Sequence, residues 1–190
     1  MSELLTTLLS ILAALGLAAA CGFRVFVPLF VVSLAQRAGL LGLSEGFAWI
    51  GSTPALICFG VATALEIAAY YVPVFDNLLD TIATPAAIVA GIVVSAAVMT
   101  DIDPWLKWTL ATIAGGSLAA AVQIPMVAAR GVSTSTTVGL ANPAVSTGEL
   151  VAASTFSGLA IFWPLLVPVA ALAAVVFFYR RLRRRVPLPA

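Results

Sequence analysis

The chain has 190 residues, 62% of them hydrophobic and 9% charged, with a net charge of +1 and no histidine. Soluble domains carry roughly 25% charged residues, so this chain cannot cover a globular surface with polar groups, and lipid must be the solvent for most of it. The near-neutral charge leaves no electrostatic footprint for nucleic acid, and the lack of His removes the commonest general base and metal ligand.

A membrane span needs about 20 mostly apolar residues, and six segments qualify. The first covers 4–20. It could pass for a signal peptide, but its leading region has no Lys or Arg and carries Glu3, so it reads as a retained span. Cys21-Gly22-Phe23-Arg24 interrupts it, and a short second span over 25–41 follows, with Pro28 in its first turn where a missing N–H is tolerated. The tight turn between them predicts a helical hairpin. Cys21 and Cys58 form no CxxC pair and read as small buried hydrophobes.

After a loop with Trp49 as an interface anchor, the third span covers 54–72 and contains Glu66. Pro73 ends or kinks it. In the stretch that follows, Asp76 and Asp80 are four apart and share one face of a short helix. Thr84-Pro85 reads as an N-cap and first-turn proline opening a fourth span over 86–100. A fifth span covers 105–129, with Gly115-Gly116 suited to close helix approach.

The one long polar run is RGVSTSTTVGLANPAVSTGE, residues 130–149. It reads either as a re-entrant loop lining a pore through Ser133, Thr134, Ser135, Thr136 and Thr137 or as an ordinary external loop. Non-helical backbone at membrane depth is tolerated only where it lines a cavity or is buried in protein. Ser146 and Glu149 have capping-box spacing. The last segment, 150–179, reads as one span or as two half-spans broken near Trp163-Pro164.

Six spans put both termini on one side, and the arginine-rich tail at 180–185 assigns that side to the cytoplasm. Residues 1–185 are then one transmembrane domain and 186–190 a short cytoplasmic tail, in a multi-pass membrane protein. Arg37 and Lys107 also fall inside. Arg24, Asp76, Asp80, Arg130 and Glu149 fall at the outer face, and Glu66 about two turns below it.

A carboxylate inside a span usually marks an ion path or a paired site. Glu66 therefore reads as a proton or cation acceptor, or as the buried partner of Arg24. Arg24 binds an anion or, more simply, pairs with Asp76, Asp80 or Glu66, since Arg suits such a buried fork. Asp76 and Asp80, with Asn142 and nearby hydroxyls, could supply oxygens to a hard cation; either aspartate serves equally as a cap or a solvated face.

Three stretches, ACGFRVFVPL at 20–29, EIAAYYVPVFDNLLDTIATPAA at 66–87 and STSTTVGLANPAVSTGE at 133–149, resemble a family of small bacterial integral membrane proteins, the domain of unknown function 4126. The resemblance covers nearly the whole chain and is most specific in the third stretch. It implies a polytopic helical membrane protein and adds no particular chemistry.

The sequence thus predicts an all-α transmembrane bundle with a polar vestibule formed by Arg24, Glu66, Asp76, Asp80, Asn142 and Glu149 under the Ser/Thr loop. The leading expectation is a channel or transporter for a small cation, proton or proton-coupled solute, with the lipid bilayer and copies of itself or other membrane subunits as partners. The alternatives are a non-catalytic scaffold of a larger membrane complex and an enzyme acting on lipid. No cofactor and no metal is specified.

Overall fold

The computed structural model describes residues 2–166, and the side chains of all of these except residues 2 and 73–78. Among the described residues every regular element is helical: α1 (Ser2–Cys21), α2 (Phe26–Arg37), α3 (Thr53–Tyr70), α4 (Pro73–Val98), α5 (Pro104–Leu110), α6 (Ser117–Thr137) and α7 (Asn142–Phe162). A 3-10 turn at Ala48–Gly51 precedes α3, and a π-helical turn at Ala111–Gly116 fuses α5 and α6 into one helical run.

Five segments are long and apolar enough to cross a membrane: Glu3–Cys21, Thr53–Tyr70, Leu79–Val98, Pro104–Thr137 and Asn142–Phe162. The segment expected as a second span forms the 12-residue α2, about 18 Å long against a hydrocarbon core of about 30 Å. The expected loop after it carries the 3-10 turn and returns the chain to α3, which Ser52 caps by accepting the Ala55 N–H at 3.3 Å.

Helix α1 lies at the centre, packed against α4, α6 and α7. Its Ala13, Ala14, Leu17 and Cys21 meet Ala90, Val94 and Ala97 of α4, Ala119 of α6 and Ala160 of α7 in one core. Between lipid-soaked helices the attraction comes from close van der Waals approach, which small residues permit. A Cβ at Gly91 would stand 2.7 Å from Ala119 Cβ and 3.0 Å from the Gly115 carbonyl oxygen, and one at Gly22 would stand 2.6 Å from Val122 Cβ. Helix α3 is the outermost, with Ile57, Val61 and Leu65 all exposed.

Four expectations about the chain need correction, one of them brief: Cys58, expected to be buried, is exposed on α3. Thr84-Pro85 does not open a new helix: α4 runs unbroken from Pro73 to Val98 with Pro85 inside it. A proline there removes one i→i−4 bond, and transmembrane helices tolerate that loss when neighbours hold them.

The Ser/Thr stretch is not a loop. Residues 133–137 are the last turns of α6, and only residues 138–141 separate it from α7. The hydroxyls bond carbonyls of their own helix: Ser135 Oγ and Thr136 Oγ1 donate to the Val132 oxygen at 2.9 and 2.8 Å, and Thr137 Oγ1 to the Ser133 oxygen at 2.7 Å. Their polarity is spent within the helix.

The capping box is also absent. Helix α7 starts at Asn142-Pro143, so Ser146 and Glu149 lie inside it. At the other end α7 stops at Phe162, ahead of Trp163-Pro164, as the residue before a proline disfavours helix. The expected continuation to 179, the arginine-rich tail and the terminal 186–190 lie outside the described residues.

Candidate functional site: a buried charge cluster at one end of the bundle

Helices that alternate in direction bring the end of α1, the start of α2, the end of α3, the start of α4, the end of α6 and the start of α7 to the same end of the molecule. The α1–α2 turn does not reach the tip of that end. It is sealed inside, with Cys21 and Arg24 at 0% and 1% exposure, beneath the α6–α7 turn. Arg130 and Glu149 are each seven residues from that turn, counted from Thr137 and Asn142, hence about 10 Å below it.

A helix beginning inside a bundle leaves N–H groups without water or an intrahelical partner. In α2 the carboxylate of Glu66 meets them: the Val25 N–H donates to Oε1 at 2.8 Å and the Phe26 N–H to Oε2 at 3.1 Å. Pro28 has no N–H to satisfy. Glu66 therefore caps α2 from α3, a role also favoured by the positive end of the helix dipole.

Around it the charges interlock. Arg130 Nη2 lies 2.6 Å from Asp80 Oδ1 and Nη1 lies 2.7 Å from Glu149 Oε2, so one guanidinium joins α4, α6 and α7. Arg24 Nη2 lies 3.6 Å from the same Glu149 oxygen and donates to the Ser146 carbonyl oxygen at 2.9 Å and to the Ser146 hydroxyl. Both guanidiniums lie over the Tyr70 ring, with Cζ 3.9 Å (Arg24) and 4.4 Å (Arg130) from its centroid; a desolvated cation–π contact contributes about 2 kcal/mol.

Arg24 Nε and Nη1 have no hydrogen-bond acceptor among the described residues, so the ring face is what meets them. A guanidinium stays protonated even when buried, so Arg24 carries its charge inside the bundle.

Of the residues singled out in the sequence, the fold brings together Arg24, Glu66, Asp80 and Glu149. Glu66 and Asp80 converge because α3 and α4 reverse across Tyr71–Val72. The Asp76 side chain lies outside the described residues. Asn142 is buried and donates from Nδ2 to Thr134 Oγ1 at 2.9 Å, tying α7 to α6 near the turn. Ser135, Thr136 and Thr137 bond carbonyls of α6, and Thr137 also accepts the Ala141 N–H at 3.1 Å. Among the described residues no group of three His, Cys, Asp or Glu is placed to hold a metal ion.

Arg130, Tyr70 and Ser146 were not in the expected binding set, yet they complete the cluster. A signal existed for two of them. Tyr70 is one helical turn after Glu66, and Arg130 and Glu149 are nearly equidistant from Val138-Gly139-Leu140-Ala141, so reading 130–149 as a helical hairpin pairs them.

The model of the family described as a domain of unknown function, DUF4126, matches residues 11–184. No curated protein and no solved structure matches the chain.

Proposed function

The chain belongs to the DUF4126 family, and from that footing we propose that this apolar helical bundle binds and moves protons, or a solute coupled to them, through the buried cluster. The observation that carries the reading is a count of charge. Among the described side chains, three carboxylates, Glu66, Asp80 and Glu149, stand among two guanidiniums, Arg24 and Arg130. With all five ionised the cluster holds one negative charge in excess, at a depth where uncompensated charge is costly. A proton neutralises it.

Asp80 is the access point in this reading, because its side chain retains 15% exposure while that of Glu149 retains 2%. Glu66, held by two backbone N–H groups, is the inner acceptor. By the positive-inside expectation the mouth faces outward.

The test is proton flux. Purified protein in liposomes holding a pH-sensitive dye is driven by a potassium diffusion potential. The wild type is expected to acidify or alkalinise the lumen faster than protein-free liposomes, and Asp80→Asn to fall to the empty-liposome rate. A wild type that matches empty liposomes sinks the reading.

A second reading has an observation of its own. Each of the three carboxylates already has a partner, and Glu66 completes a helix end. The same cluster then acts as an internal staple in a scaffold subunit. That reading expects no flux, and loss of folding when the staple is cut.

A further inference from the structure

We propose that the solute coupled to the cluster is a hydrophobic monovalent cation, admitted sideways from the bilayer through an apolar cleft between α2, α3 and α4. The proposal rests on the charge count above and adds to it the shape and lining of the route.

The cleft has a volume of about 420 Å³, within the range of roughly 300–1,000 Å³ typical of small-molecule sites. Its walls are apolar: Ala62 and Leu65 from α3, Ile82 and Ala83 from α4, and Val25 and Phe26 at the start of α2. Alanines make the space, since larger side chains on the facing helices would close it. Glu66 and Tyr70 stand in the wall as well, so the cleft runs alongside the charge cluster. Leu65 and Ile82, 64% and 54% exposed, form its rim on faces of spanning helices. A second apolar cleft of about 450 Å³, lined by Leu29, Trp49, Phe59 and Val89, adjoins it through Val25, Phe26 and Ala86.

The lining decides the class of solute. A small hydrated ion would find no oxygens there to replace its water shell. An ion whose charge is wrapped in hydrocarbon needs none, and gains by burying its apolar surface. The sign follows from the cluster, whose excess is negative. A hydrophobic anion of the same size gains the burial and is repelled by the charge; a lipid tail gains the burial alone.

Two probes of the same shape and opposite charge separate these cases: tetraphenylphosphonium and tetraphenylborate. Their binding to the full chain in detergent is measured by equilibrium dialysis at one fixed pH, against protein-free micelles. The expected result is phosphonium binding at least tenfold tighter than borate binding. Asp80→Asn should reduce that preference, while Ala62→Leu and Ala86→Phe, which fill the cleft from opposite walls, should each weaken phosphonium binding about tenfold. Ala62→Leu is the milder change and keeps the test alive if Ala86→Phe does not fold.

Equal binding of the two ions would overturn the proposal and leave an apolar slot for lipid. Phosphonium binding untouched by Ala62→Leu and by a folded Ala86→Phe would overturn it too, by placing the ion elsewhere. Proton flux is a separate readout: selective phosphonium binding without flux defeats the reading of the previous subsection, whereas flux without such binding defeats this one.

Discussion

Arg130 is the residue on which the cluster turns, because one planar fork reaches carboxylates on two other helices. Arg130→Ala leaves Asp80 and Glu149 facing each other's charge in a buried site. Removing one partner of a buried pair typically costs about 3–5 kcal/mol, and that loss should be read in the unfolding midpoint of detergent-purified protein. Glu66→Gln is milder. It keeps one acceptor oxygen for the α2 terminus and loses the other, a capping loss of about 0.5–2 kcal/mol. The order of the two effects is the check: a Glu66→Gln protein less stable than Arg130→Ala would mean that the cap, not the bridge, holds this end together.

The candidate charges were legible because any ionised group stands out in an apolar chain. Their pairing was not. Arg24 finds Ser146 across 122 positions, and no local pattern encodes a contact of that range. The cap on α2 was equally hidden, since its acceptor comes from a different helix.

At the level of elements, helical periodicity marks the apolar segments, but the apparent helix start at Thr84-Pro85 lies inside α4, and the polar stretch 133–137, which suggests a loop, ends α6. Ser133 to Thr137 carry hydroxyls that look like loop chemistry, yet those of Ser135, Thr136 and Thr137 fold back on a carbonyl about one turn earlier. The reversal itself depends on Val138 at φ 54° and Gly139 at φ 82°. A β-branched residue in the left-handed region is strained by roughly 1–2 kcal/mol, and Val138 is 88% exposed, with little packing to offset it. Val138→Gly should therefore stabilise the protein, by about 0.5–1 kcal/mol after the added freedom of the unfolded chain is discounted, visible as a higher unfolding midpoint. A lower midpoint would show that the Val138 side chain contributes something that the monomer does not reveal.

The α4–α6 contact gives the opposite expectation. A side chain at Gly91 would collide with Ala119 and the Gly115 backbone, so Gly91→Val should overpack the pair and cost about 1–3 kcal/mol, measured in the same unfolding assay.

For the molecule as a whole, the two ends differ in kind. The four tryptophans, Trp49, Trp105, Trp108 and Trp163, flank the start of α3, the start of α5 and the end of α7, all at the end away from the charge cluster. Indoles favour the headgroup level. Reconstituted protein should thus show stronger fluorescence quenching by lipids brominated near the headgroup than by lipids brominated near the chain end. Equal quenching at both depths would place the indoles off that interface. Lengths add to the asymmetry. The α5–α6 run of 34 residues extends about 51 Å, well beyond the hydrocarbon core, while α2 falls short of it. Sequence hydropathy alone reveals neither mismatch, because it counts apolar residues without saying where the chain turns.

The sealed turn at Arg24 also carries a consequence for how the protein is made. Arg24 emerges with the first hairpin, but Ser146 lies 122 positions later, and Glu149 later still. At about 5–20 residues per second of synthesis, the arginine waits roughly 6 to 25 seconds before those partners exist. During that interval the nascent hairpin must keep a cation at the water interface or in the care of the insertion machinery, and it can sink to its final depth only after α7 arrives. Truncated chains ending before residue 146 should then leave a cysteine introduced by Phe23→Cys, in a chain with Cys21 and Cys58 replaced by alanine, more open to a water-soluble thiol reagent than it is in the finished protein, where Phe156 of α7 covers position 23.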